Sequence, residues 1–129
     1  MPAEFELDRE GCVVRSRAWG NLTEDDLARH VQAMRELFES ETLDATWAQV
    51  CDFSSITSVA ELTTDGVRRL AKSNPWPLET LRVIVAPTDE MYGLGRMYQA
   101  MAVGDSENFR VVRSAAEASE WMTERGHAP

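Results

Sequence analysis

Leu81-Arg82-Val83-Ile84-Val85-Ala86, followed at once by Pro87-Thr88, reads as a short strand delivered straight into a helix. The run is nearly all apolar and β-branched instead of alternating, which is how a strand reads when neighbours cover both of its faces. Met91, Leu94, Tyr98 and Met101 then recur at helical spacing as far as Gly104. Phe109 to Arg113 reads as a further strand. Ser114-Ala115-Ala116-Glu117 is the capping box of a last helix, which presents Ala118, Trp121 and Met122 before Gly126 ends it.

Upstream, Asn74-Pro75-Trp76-Pro77 stops a short helix over Thr64 to Ser73, because proline cannot continue the hydrogen-bond ladder. That helix carries Val67, Leu70 and Ala71. Ala45 to Phe53 reads as a strand, and Ser54 to Thr63 as a polar connection. Before it, Thr23 and Asp26 form a capping box, Leu22 and Leu27 a hydrophobic staple, and Leu27, Val31, Met34 and Phe38 one helical stripe, with His30 flanking the stripe. The chain opens with a hairpin: Glu4 to Asp8, a turn at Arg9-Glu10-Gly11, then Cys12 to Trp19. In its second strand Val14, Ser16 and Ala18 share one face and Val13, Arg15, Arg17 and Trp19 the other, which predicts a partly wet sheet face.

The order β-β-α-β-α-β-α-β-α calls for parallel strands joined by right-handed crossovers. If each strand is laid beside the previous one in one direction, the helices fall on one face. The expected fold is therefore α/β, a mixed sheet with an N-terminal hairpin followed by alternating α and β, helices mainly on one face, in a single domain over residues 1–129. No repeat or linker interrupts the order, and Pro2-Ala3 and Gly126 to Pro129 read as short frayed tails.

Hydrophobic residues at 43% and charged residues at 27% are enough for a core without disulfide or metal. Thirteen basic against 22 acidic residues leave a net charge of −9, which repels phosphate backbones and anionic lipid, so neither nucleic acid nor membrane is expected as a partner. Lys72 is the only lysine, and Arg68-Arg69 is the densest basic patch. No basic segment leads into an apolar run and no apolar stretch is long enough to span a bilayer, which points to a cytoplasmic protein. Cys12 and Cys51 sit in apolar, strand-like surroundings and are read as reduced small hydrophobes.

Several stretches together resemble the SpoIIAA-like proteins, small bacterial domains similar to the STAS fold of anti-sigma factor antagonists. They are the hairpin start, the capped first helix, Val50-Cys51-Asp52-Phe53-Ser54, Met91-Tyr92-Gly93-Leu94-Gly95-Arg96-Met97, and Glu117-Ala118-Ser119-Glu120-Trp121-Met122. The resemblance implies a non-enzymatic regulatory or protein-interaction module. In the antagonists an Asp-Leu-Ser-like strand end leads to Asp-Ser-Ser-Gly, whose serine is phosphorylated. Asp52-Phe53-Ser54 resembles the first step, whereas the second is missing: the chain offers Ala60-Glu61-Leu62-Thr63 or, shifted, Thr63-Thr64-Asp65-Gly66. No required phosphoserine switch is expected.

Loops after the carboxyl ends of parallel strands open at one edge, where α/β proteins usually place function. That edge collects Trp19, Asp52, Ser54, Ser55, Thr88, Tyr92 and Arg96, the candidate ligand- or partner-binding residues. Ordinary turn and capping roles for Asp52, Ser54 and Thr88 are the simpler expectation. Tyr92 and Arg96, one helical turn apart, could grip a small anion, so a carrier of a small anionic or apolar ligand is the alternative function. Gly93-Leu94-Gly95 lies inside a helix and lacks the third glycine of a phosphate loop; close packing on the sheet, a neighbouring subunit or a ligand would each explain it. His30 and His127 are the only histidines, neither near Cys51 in sequence, so no catalytic residue, metal or cofactor is expected. A homodimer is expected through Val13 and Trp19 or the glycine-bearing helix, with Glu4, Glu6 and Asp8 of a partner meeting Arg15 and Arg17.

Overall fold

Val13 and Val14 are adjacent in one strand and both fully buried, 0% exposed. Successive strand residues point to opposite faces, so this sheet is covered on both sides at that point. The computed structural model, described over residues 3–127, explains how. Strands β1 (Ala3–Asp8), β2 (Val13–Asn21), β3 (Ala48–Ser58), β4 (Arg82–Val85) and β5 (Phe109–Val112) alternate after the hairpin with helices α1 (Glu24–Glu39), α2 (Thr64–Lys72), α3 (Asp89–Ala102) and α4 (Ala115–Glu124). The strands lie in sequence order, β1 antiparallel to β2 and the rest parallel. This is the α/β alternation expected from the sequence.

Register assigns the faces. Val14, Gln49, Arg82 and Phe109 are aligned across β2 to β5, as are Ser16, Cys51, Ile84 and Val111; these face α1, α2 and α3. The alternate positions, among them Ala48, Val83, Val85 and Val112, pack on Ala118, Trp121 and Met122 of α4. The expectation that winding sends all helices to one face thus fails for α4. Helices α1 to α3 join parallel strands laid in one direction, and a right-handed crossover leaves them no choice of side. Helix α4 lies on the side where Ala118, Trp121 and Met122 bury Val83, Val85 and Val112. The uncovered part of that outer face, Glu4, Glu6, Arg15, Arg17, Val50 and Asp52, is the wet region anticipated for the sheet. Val13, expected on that wet face, is instead buried.

Local signals set most boundaries. Thr23 and Asp26 make the reciprocal capping box of α1, Thr88 accepts from the Met91 amide at the head of α3, and Ser114 accepts from Glu117 at α4. Only the serine half of the box expected at α4 forms. Cys12, expected inside β2, lies in the turn with φ +54°, while Gly11 donates to Asp8 at 2.9 Å. Strand β3 is shifted from the expected span: Ala45 and Thr46 form an exposed turn with Asp44, and Ser54 to Ser58, expected as a loop, continue the strand. They do so because Trp19, Gly20 and Asn21 extend β2 alongside them, pairing with Ser55, Ile56 and Ser58. Polar sequence becomes strand there through pairing alone. Of the expected tails, Ala3 and Gly126 to His127 are ordered against the fold, His127 lying 3.0 Å from the Gly11 carbonyl, and Met1, Pro2, Ala128 and Pro129 lie outside the described residues.

Candidate functional site

Strands β2 and β3 overshoot β4 and β5, so the carboxyl edge is not flush and its residues fall into two groups. Asp52, Ser54 and Ser55 belong to the overhanging ribbon; Asp52 accepts from the Ser54 amide at 2.9 Å and its hydroxyl at 2.5 Å. Trp19 pairs with Ser55 and carries the Arg17 guanidinium 5.1 Å from its ring centre. Thr88 is spent on the α3 cap. Arg96 donates to the Tyr92 hydroxyl at 3.4 Å, and Arg113, 4.3 Å from the Tyr92 ring, is held by Asp89 and the Pro87 carbonyl. No hydrogen bond, ion pair or stacking contact among the described residues joins Asp52, Ser54 or Ser55 to Thr88, Tyr92 or Arg96. The expected edge is two locally satisfied clusters.

A more distinctive arrangement lies beneath the helices. A cavity of about 110 Å3 separates the sheet from α1, α2 and α3. Ala18, Cys51 and Ile84 floor it, and Leu27, Leu70, Met91 and Leu94 are among the helical residues that roof it. Gly95 contributes by closeness: a Cβ there would stand 3.0 Å from Val111, so α3 rides directly on β5. Of the explanations for the paired glycines, packing on the sheet holds for Gly95, while Gly93 faces open space.

One wall of this apolar space is polar. Arg82, 7% exposed, donates from Nε to Gln49 Oε1 at 2.9 Å, from Nη1 to Asn74 Oδ1 at 3.0 Å and from Nη2 to the Tyr98 hydroxyl at 3.4 Å. Because Gln49 accepts through Oε1, its Nε2 donates, at 3.3 Å to Ser16 Oγ. Ser16 is then free to donate to His30 Nε2 at 3.0 Å. The chain of donors runs from guanidinium to imidazole and ends on a nitrogen without a proton. Accordingly burial, with the Arg82 charge second, pushes His30 down to about 4. Burial likewise pushes the Cys51 thiol up to about 11, against the opposing pull of Arg82 and Ser16, so it stays protonated at neutral pH.

Arg82 has aromatic faces around it, Trp76, Tyr98 and Phe109, with ring centres 5.5, 5.6 and 5.1 Å away. It takes part in no ion pair among the described residues. An arginine cannot shed its charge to escape such a place. This buried cation is legible in the sequence as the one charged residue in the apolar run Leu81 to Ala86. His30, read as a flanking residue, and Ser16 and Gln49 left no comparable signal, because only the β2–β3–β4 register brings them together.

Ser16 and His30 have the composition of a nucleophile and its base. The pair lacks the rest of the requirement: the imidazole is a weak base at about 4, and Ser16 Oγ already accepts from Gln49. Among the described residues no cluster of three or more His, Cys, Asp or Glu could hold a metal ion, and no helix is long and apolar enough to cross a membrane. No family model matches the chain, and neither does any curated protein.

Proposed function

We propose that the chain is a non-enzymatic binding module that holds a small, largely apolar molecule between its sheet and helices α1 to α3. The single observation that carries this reading is the 110 Å3 cavity with a buried arginine in its wall. Native cores hold few voids larger than a water. Left to water, the apolar lining of this cavity stays exposed, and an apolar occupant would cover it. An apolar cavity of about 150 Å3 accepts a benzene ring, which sets the scale of the occupant. The candidate grip at Tyr92 and Arg96 moves accordingly to Arg82, since Arg96 is exposed and stacked locally.

Native mass spectrometry of the purified full chain tests the reading, together with Ala18→Leu, which fills the floor of the cavity. The expected result is a retained small molecule, or uptake of a small apolar probe such as toluene, that Ala18→Leu removes without loss of thermal stability. Uptake unaffected by Ala18→Leu refutes the cavity as the site.

A second reading is the protein-interaction module implied by the SpoIIAA-like, STAS-like resemblance, acting without enzymatic activity on a protein partner. It is favoured by the exposed hydroxyls of Ser54 and Ser55 on the overhanging ribbon and of Thr64 at the head of α2, where Thr63 is the cap. Stoichiometric phosphate on one of them, found by intact-mass analysis of protein from its native host, would make this the primary function and overturn the expectation of no phosphoserine switch.

A further inference from the structure

The cavity and the Arg82 cage together say more about an occupant than its size. A guanidinium has five N–H groups, and three of them are used, by Gln49, Asn74 and Tyr98. Two therefore have no hydrogen-bond partner among the described residues, on a side chain that is 93% buried and forms part of the cavity wall. Cation–π contacts offset part of the cost of burying the charge, but rings offer no oxygen to the unused N–H groups. Of the groups that line the cavity, Arg17 is the other charged one and is already paired with Glu4 at the exposed rim, while His30 is neutral, Cys51 keeps its proton, and Ser16 and Gln49 carry no charge. The opposite end of the cavity, around Leu22, Val59, Leu62 and Val67, is hydrocarbon.

Resting on the cavity reading above, we infer that the occupant is a small amphiphilic monocarboxylate, its head on Arg82 and its apolar body toward Leu22 and Leu62. One buried cation matches one negative charge, so the pair enters the low-dielectric space with no net charge, whereas a phosphate dianion would bring an unmatched one. The planar fork of a guanidinium also fits the two oxygens of a carboxylate. The excess of acid over base in the whole chain, −9, further disfavours multiply charged anions.

Calorimetric titration of the full chain with hexanoate and with hexan-1-ol, equal in hydrocarbon and different in head, tests the assignment. The wild type is expected to bind hexanoate at least about tenfold more tightly, as a charge-assisted contact implies. Arg82→Gln should erase that preference while hexan-1-ol still binds, and Arg68→Gln, outside the cavity on the exposed side of α2 where Arg68 meets Asp65, should preserve it. Equal binding of the two compounds by the wild type overturns the monocarboxylate and leaves the cavity reading standing. Binding of neither overturns both. If Arg82→Gln does not fold, the Arg82 Nε resonance of the wild type decides: it should move on addition of hexanoate and not of hexan-1-ol, and a stationary signal refutes contact at Arg82.

Discussion

Acid should destabilise this protein through His30, and the effect can be sized. An unfolded imidazole protonates near 6.5, whereas the folded one, partly buried and facing the Arg82 charge through Ser16 and Gln49, protonates at about 4. Between those values the unfolded chain binds a proton that the native state refuses, so the stability contribution is fully present above about 6.5 and is lost as pH falls toward 4. At 1.36 kcal/mol per pH unit, the loss reaches about 2 kcal/mol by pH 5 and levels off near 3 kcal/mol below pH 4. Carboxylates also titrate on the way down, Glu24 held low by its hydrogen bonds with Arg69 and Asp26 by its bond with Thr23. They do so equally in a protein without the imidazole. The decisive quantity is thus the difference between wild type and His30→Gln, measured by urea unfolding followed through tryptophan fluorescence at steps from pH 7.5 to pH 5. The wild type should lose about 2 kcal/mol more than the variant over that range. Parallel stability profiles would refute the reasoning that burial and the Arg82 charge hold the imidazole neutral.

The two glycines of α3 should respond oppositely in thermal melts: Gly93→Ala, facing open space, gains about 1 kcal/mol of helix propensity, and Gly95→Leu, driven against Val111, loses about 1–3 kcal/mol. A thiol reagent at pH 8 should label half-exposed Cys12 first and reach Cys51 only through unfolding; equal rates by peptide mapping would contradict the burial of Cys51. A homodimer through the outer face of β2 should appear in sedimentation at micromolar concentration and dissociate on Trp19→Glu; a wild-type monomer removes it. Two of the three carboxylates expected from a partner are engaged within the chain, Glu4 on Arg17 and Asp8 on Arg15, which leaves Glu6 and Trp19 to build an interface there.

The sequence alone determined the element order, because the signals involved are local. Capping at Thr23, Thr88 and Ser114, the proline stop at Asn74-Pro75-Trp76-Pro77 and the apolar run at Leu81 to Ala86 each act within a few residues. Sequential laying of parallel strands then follows from the alternation itself. What required the tertiary structure was everything set by partners distant in the chain. Ser54 to Ser58 became strand only because β2 continues beside them, and α4 lies on the other face, where it covers Val83, Val85 and Val112. The candidate site belongs to the same class. Ser16, His30, Gln49 and Arg82 are scattered over four elements and meet through cross-strand register and one helix face, and a cavity is a property of how surfaces fail to fill space. Neither leaves a periodic trace in the chain, whereas the edge residues Asp52, Thr88 and Tyr92 are local motifs whose polar groups the fold satisfies locally.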